Sequence, residues 1–200
     1  MTTVDDAAQT STDVGRRRDP HLPGDTGIWF FVLGDLIIFG GYFVIFMVYR
    51  SQNRPVFLES QQHLSTNVGV VNTLLLIASS WFVALGVQRV RAGAHQRAVR
   101  LTMCGALCAL LFIAVKAYEW STELYRGFTF PHNDFFMFYY TLTGIHLGHV
   151  MLGLLILGIV VRDLRNPAGQ RVQMAEIGAT YWHMVDLLWV VIFALLYVMR

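Results

Sequence analysis

Charged residues are scarce in this sequence. Asp, Glu, Lys and Arg make up 14% of its 200 residues, whereas soluble domains usually carry about 25%. At the same time, 55% of the residues are hydrophobic. This composition excludes an ordinary soluble domain, and it predicts a membrane-embedded protein with one structural domain.

Other absences exclude further classes of protein. The sequence has neither a glycine-rich nucleotide-binding loop nor a paired nucleophile and base, which argues against nucleotide-dependent enzymes and covalent hydrolases. No apolar stretch follows Met1, so a cleaved signal peptide is not expected. Residues 1–26 are polar and are predicted to form a disordered cytoplasmic tail. Residues 27–200 are predicted to form the membrane domain.

Cysteine is also rare. The two cysteines, Cys104 and Cys108, lie one helical turn apart in an apolar segment. Neighbouring turns of one helix do not suit disulfide geometry, and two thiols alone do not complete a metal site. We therefore expect both to be buried packing residues.

Long apolar runs dominate what remains. Five runs are long enough to cross a hydrocarbon layer of about 30 Å. The loops between them are short and contain Pro55, Pro131 and Pro167. The predicted fold is therefore all-α, with five transmembrane helices at residues 28–49, 68–88, 101–120, 135–161 and 177–199.

Arginines are distributed unequally between the two sides of this predicted bundle. The N-terminal tail and the two segments on its side carry ten arginines, and the opposite side carries four. Basic residues accumulate on the cytoplasmic side of membrane proteins. The N-terminus is therefore predicted to be cytoplasmic and the C-terminus to lie outside.

An aspartate, Asp35, lies on an aromatic face of the first run, about 12 Å along the helix. Two interpretations remain open. The carboxyl group can serve the packing of a neighbouring helix, or it can act in proton transfer or in contacts with a partner.

The last run contains His183 and Asp186 on one helical face. A charge at the membrane centre costs about 2.5–3.5 kcal/mol on insertion scales, so both side chains are expected to face protein. We predict partners on other helices, namely His146, His149 or Glu119. Depth favours His149 over Glu119, because the orientation places His183 and Asp186 about one-third of the way in from the cytoplasm.

Further polar residues are predicted to hold helices together. In the second run, Asn72 and Ser79 share a face with Leu76, as is usual where membrane helices pack. In the third run, Lys116 and Glu119 are three residues apart and can form an ion pair within the helix.

The fourth run combines a glycine motif with two histidines. Gly144 and Gly148 form a G-x-x-x-G motif, which predicts close approach of another helix. His146 and His149 lie on the opposite face and, with His183, give three histidines at membrane depth. No further ligands complete a recognisable shell, so a buried hydrogen-bonded network is predicted rather than a metal or haem site.

Four stretches, in this order and spacing, resemble one family. They are similar to four sequence patterns of that family, N-T-x-x-L-L…S-S, Q-A-x-E-Y, T-G-F-H-G-L-H-V and Y-W-H-F-V-D-x-V-W. The family is subunit III of haem–copper cytochrome c oxidases, in the short five-helix bacterial form. The matching residues are 72–80, 116–120, 143–150 and 181–189.

The sequence departs from the family pattern at several positions, and three of these departures concern charged or glycine residues. The Ser-Glu of the first span is Gly34-Asp35, the Gln of the third-span motif is Lys116, and the glycine of the histidine stretch has moved to Gly148. The Gly-Asp form resembles a subgroup associated with nitric oxide reductases. The sequence therefore does not decide whether the partner subunit reduces oxygen or nitric oxide.

The resemblance implies a non-catalytic accessory subunit of a respiratory oxidase in a bacterial inner membrane, without a cofactor of its own. It implies binding to the catalytic subunit I and to subunit II, and support of proton uptake. It also implies a V-shaped cleft that holds phospholipids between the first two spans and a bundle of the last three, with Asp35 at its floor.

Two alternatives remain. One is the equivalent accessory subunit of a nitric oxide reductase. The other is a small proton-coupled transporter with Asp35, Glu119, His146 and Asp186 as a relay. The missing internal repeat argues against the transporter.

Overall fold

The computed structural model describes residues 26–166 and 172–199. The predicted tail lies outside these residues except for Thr26, where the first helix begins. The helices are α1 (Thr26–Gln52), α2 (Arg54–His63), α3 (Thr66–Arg91), α4 (His95–Tyr125), α5 (Asp134–Arg165) and α6 (Val172–Phe193), which continues into a π-helical segment (Ala194–Val198).

Five helices are long and apolar enough to cross a membrane, with mean hydropathies between 1.8 and 2.3. They are α1, α3, α4, α5 and α6 with its π-helical segment. All elements in the described ranges are helical. The prediction of an all-α fold with five membrane-spanning helices is therefore confirmed.

The connection between the first two spans is a helix, α2, where the sequence predicted a loop. Pro55 lies in its first turn, where a helix does not require the missing N–H group. Phe57 is buried with its ring 5.4 Å from that of Phe46 on α1. The Asn133 amide, at the start of α5, donates to the Ser60 hydroxyl at 2.8 Å. The helix α2 thus joins the ends of α1 and α5.

The predicted division into a two-helix unit and a three-helix bundle is wrong. Helix α3 packs along α4 and also against α6, while α1 packs against α5 and α6. Small residues permit the close approach of α3 and α4: the Ser79 hydroxyl donates to the Gly105 carbonyl at 2.7 Å. A Cβ atom at Gly105 would lie 3.0 Å from the Ser79 carbonyl oxygen. The second and third spans are therefore in direct contact where a cleft was expected.

Helix α6 lies at the centre of the bundle, in contact with α1, α3 and α5. Its largest side chains, including Trp182 and Trp189, are fully buried. The helix begins at Val172, earlier than predicted. Asp186 is therefore about 21 Å along a span of about 40 Å, near the midpoint of the helix.

The π-helical segment that ends the last span is held by side chains from α1 and α2. A π turn shifts the backbone hydrogen bonds, and local carbonyls then need other donors. The Gln61 amide donates to the Leu195 and Leu196 carbonyls at 3.1 and 3.2 Å. Arg50 donates to the Met199 carbonyl at 2.5 Å. These bonds stabilise the altered backbone at the end of the last span.

Close packing on α5 does not occur at the predicted G-x-x-x-G motif. A Cβ atom at Gly148 would have no neighbour within 4 Å, and one at Gly144 would lie at an ordinary 3.5 Å from Trp120. A Cβ atom at Gly153 would lie only 2.7 Å from the Trp182 ring. The prediction for Gly148 is wrong, and Gly153 is the glycine that admits a neighbouring side chain.

The prediction of buried cysteines is also wrong. Cys104 is exposed and Cys108 is partly exposed, and both thiols are free. The physical reason is that lipid is as apolar as a protein core. An apolar helix face therefore does not reveal whether it contacts protein or membrane.

Two alanine substitutions on α5 test this packing. We expect Gly153→Ala to lower the Tm of the purified chain in mild detergent, because the added methyl group must displace the Trp182 ring. Gly148→Ala, the matched control, adds the same methyl group to the same helix in open space and should not lower the Tm. Equal Tm values for the two variants would contradict the packing described here.

Candidate functional site

The predicted polar residues do not form one network. They fall into separate groups: Glu119 with Lys116, His149 with Asp35, and His183 with Ser80. The prediction that His183 and Asp186 partner with His146, His149 or Glu119 is wrong. The reason is rotational, because His183 faces α3 whereas His149 faces α1.

The first group, here called the lysine cluster, consists of Lys116, Glu119, Tyr139 and Tyr197. The Lys116 ammonium is 1% exposed and donates to Glu119 at 3.2 Å, to the Tyr139 hydroxyl at 3.2 Å and to the Tyr197 hydroxyl at 2.7 Å. Both tyrosines donate in turn to Glu119. All three ammonium donors are thus satisfied, and the predicted Lys116–Glu119 pair is confirmed.

The lysine cluster joins three membrane helices. Lys116 and Glu119 belong to α4, Tyr139 to α5 and Tyr197 to the π-helical segment. The ammonium also lies 4.5 Å from the centre of the Tyr139 ring and 5.4 Å from that of Trp189. A buried ion pair is tolerated only when its remaining donors and acceptors are satisfied. The arrangement therefore cross-links helices and leaves no reactive group open to a substrate.

Sequence reasoning missed the two tyrosines of the lysine cluster. A signal for them did exist, because an ammonium group has three donors and the predicted pair with Glu119 used only one. Nothing in the sequence indicated which hydroxyl groups would take the other two. The position of Tyr197 depends on the π-helical segment, which has no clear sequence marker.

The second group is the pair of Asp35 on α1 and His149 on α5. Their Oδ2 and Nε2 atoms are 3.4 Å apart, and both side chains are largely shielded from solvent. His149 Nδ1 lies 2.9 Å from the Ile145 carbonyl oxygen. A carbonyl only accepts, so Nδ1 carries a proton, and Nε2 is protonated only when the ring is cationic. The pair can therefore hold one exchangeable proton between Asp35 and His149.

The third group lies between α3 and α6. The Ser80 hydroxyl and His183 Nδ1 are 2.5 Å apart. Asp186 lines a groove between these two helices, together with Ser80 and His183. Neither of its carboxyl oxygens has a hydrogen-bond partner among the described residues. These side chains lie near the midpoints of their helices, and this group is the least satisfied of the three.

Asn72 and His146 are fully buried. The His146 ring lies 5.8 Å from that of Phe112 and 5.1 Å from that of Trp189. Within the described residues, neither side chain has a hydrogen-bond partner. Both are surrounded by packed helices.

The predicted packing face of the second span is confirmed: Asn72, Leu76 and Ser79 are all buried. In the part of the chain that the structure describes, no three His, Cys, Asp or Glu side chains converge as metal ligands would.

These features define a class of protein, namely a multi-pass membrane protein with ionisable side chains buried between its helices. Comparison with known proteins gives the family. The family model for cytochrome c oxidase subunit III matches residues 21–200. The chain belongs to that family.

Two relatives illustrate the similarity. Cytochrome c oxidase subunit 3 of Thermostichus vulcanus is 31% identical over 86% of this chain and 86% of its own length. Quinol oxidase subunit 3 of Bacillus subtilis is 26% identical over 86% of this chain and 85% of its own length. The similarity thus covers nearly the whole membrane domain.

A double-mutant cycle tests the lysine cluster. We expect Glu119→Gln to destabilise the chain by about 3–5 kcal/mol, because it leaves a buried ammonium without its counter-ion. The double variant Lys116→Met/Glu119→Leu should be destabilised much less than the sum of the effects of Lys116→Met alone and Glu119→Leu alone. The free energy of unfolding is measured by SDS titration in mixed micelles.

The matched control is Arg91→Met, which removes an ion pair with Glu176 at 2.9 Å whose arginine is 56% exposed. Such exposed pairs contribute about 0–1 kcal/mol. A Glu119→Gln effect no larger than that of Arg91→Met would contradict the described role of the cluster.

Proposed function

We propose that this chain is a non-catalytic accessory subunit of a respiratory haem–copper terminal oxidase. The observation that carries the proposal is the family match over residues 21–200. It is supported by relatives named as subunit 3 of cytochrome c oxidases and of quinol oxidases. In this role the chain stabilises the catalytic subunit and contains no catalytic centre.

The geometry supports a structural role. The lysine cluster is closed within the protein and cross-links α4, α5 and the end of the last span. The outward face of α1 is apolar, with Phe30 76% and Ile37 74% exposed. Such surfaces suit contact with lipid or with another membrane subunit.

The proposed partners are the catalytic subunit I, subunit II and membrane phospholipids. The proposed location is the inner membrane of a bacterial cell. The unequal distribution of arginines supports a cytoplasmic N-terminus and an outside C-terminus.

Support of proton uptake is the second part of the proposal. Asp35 lies about 14 Å along α1 from Thr26, which in this orientation is the cytoplasmic end. The carboxyl group faces His149, with the Oδ2 and Nε2 atoms 3.4 Å apart, close enough for a proton to pass between the two side chains. A largely shielded carboxyl–imidazole pair near the cytoplasmic side suits a proton donor to a neighbouring subunit.

Purification from native membranes in mild detergent tests the subunit assignment. The tagged chain should bring down a haem-containing partner that consumes oxygen. A partner that reduces nitric oxide instead would assign the chain to a nitric oxide reductase. Recovery of the chain alone, with proton-coupled transport in liposomes, would reject the subunit assignment in favour of a transporter.

The substitution Asp35→Asn tests the proton role. Asparagine has a similar shape but cannot release the carboxyl proton, so we expect severalfold slower turnover or a severalfold shorter active lifetime in a normally assembled complex. Glu59→Gln makes the same chemical change on the exposed surface of α2 and should alter neither. Oxygen consumption per haem is the measurement. Unchanged turnover and lifetime in assembled Asp35→Asn complex would reject the role.

A further inference from the structure

An open cavity of about 570 Å³ lies between the start of α4 and the end of α5. It is lined by Val99, Arg100 and Met103 of α4 and by Leu164 and Arg165 of α5, among others. This cavity, here called the α4–α5 cavity, is not at the contact of the second and third spans, where the resemblance implied a lipid cleft.

Two arginines from different helices give the α4–α5 cavity its positive charge. The Arg165 guanidinium donates to the Met103 sulfur at 3.2 Å, which places the end of α5 against α4. Arg100 precedes Met103 by three residues and therefore lies one turn away on the same face of α4. Among the described residues, neither arginine forms an ion pair with a carboxylate, and sulfur is only a weak acceptor. Two cations thus line one cavity without a counter-charge from the described chain.

Both arginines lie where the apolar parts of their helices begin. Arg100 is the last charged residue before residues 101–115, which contain no Asp, Glu, Lys or Arg. Arg165 follows shortly after a run without such residues that ends at Val161. A bilayer presents its phosphate groups next to the hydrocarbon layer. The guanidinium groups are therefore placed at the level of lipid phosphates.

The other walls of the α4–α5 cavity are apolar. Val99 and Leu164 are buried, and Met103 is 49% exposed. Leu107, one turn further along α4, is 58% exposed and continues this surface away from the arginines. An occupant thus meets cations at one end and an exposed apolar surface at the other.

We propose that the α4–α5 cavity binds the phosphate group of an anionic phospholipid, whose acyl chains lie along Met103 and Leu107. Guanidinium groups bind phosphate through paired, charge-assisted hydrogen bonds. Basic pockets between membrane helices suit anionic headgroups. The inference rests on one part of the proposed function, the partnership with membrane phospholipids, and gives it a site and a lipid class.

Other occupants match only part of the α4–α5 cavity. A zwitterionic lipid brings an ammonium group as well as a phosphate, and both arginines repel that ammonium group. A soluble phosphate ion matches the cations and uses none of the apolar surface beside them. An uncharged acyl chain covers that surface and leaves both cations without an anion. An anionic phospholipid matches both ends at once.

Native mass spectrometry of the purified full chain in mild detergent tests the lipid class. Dioleoylphosphatidylglycerol and dioleoylphosphatidylcholine are titrated in parallel, because they share acyl chains and a phosphate but differ in net charge. The first phosphatidylglycerol should bind severalfold more tightly than the first phosphatidylcholine. Equal affinities would overturn the inference. Displacement of phosphatidylglycerol by inorganic phosphate at equal concentration would also overturn it, because the site would then be one for a soluble anion.

A double variant tests the location of the site. Arg100→Gln/Arg165→Gln should lower the affinity for phosphatidylglycerol severalfold, to that for phosphatidylcholine. The matched control, Arg89→Gln/Arg162→Gln, removes two exposed arginines from the same end of the bundle but outside the cavity, and should change the affinity little. An equal loss in both double variants would overturn the location, because it would show a diffuse effect of surface charge.

The Tm of each variant, measured without added lipid, separates loss of binding from misfolding. The comparison of the two lipids on the unchanged chain remains decisive even if a variant does not fold. If the oxidase subunits co-purify but phosphatidylglycerol is not preferred, the lipid inference fails and the proposed subunit role stands. If phosphatidylglycerol binds as expected but no oxidase subunit co-purifies, the subunit role fails and the lipid site stands.

Discussion

The hydrocarbon interior of a membrane offers no hydrogen-bond partners, so an ionisable group at membrane depth must find its partners within protein. Lys116 shows how strictly this constraint acts. Its three donors meet one carboxylate and two hydroxyl groups from three different parts of the bundle. Because no donor can be left over, α4, α5 and the end of the last span are held in one relative position.

The same constraint explains the irregular end of the last span. The π-helical segment brings Tyr197 to the lysine cluster, but the altered backbone needs new donors for its carbonyl groups. Gln61 and Arg50 provide them from α2 and the end of α1. The hydrogen bonds from Gln61 and Arg50 thus link α1 and α2 to the end of the last span, which contributes Tyr197 to the lysine cluster.

Two carboxyl groups at membrane depth differ in how far the chain itself satisfies them. Asp35 has an imidazole beside it and can share a proton with that ring. Asp186 has no comparable partner among the described residues.

The sequence by itself determined the five spans, the buried face of α3 and the Lys116–Glu119 pair, because hydropathy, helical period and i,i+3 spacing are local. It did not determine the helix neighbours, the exposure of Cys104 or the close packing at Gly153. Lipid and protein core are equally apolar, so the pattern of apolar residues along a helix cannot show which face contacts lipid and which contacts protein. Only tertiary packing fixed the rotation of each helix, and with it the pairing of His149 with Asp35 and the position of Asp186 in an open groove.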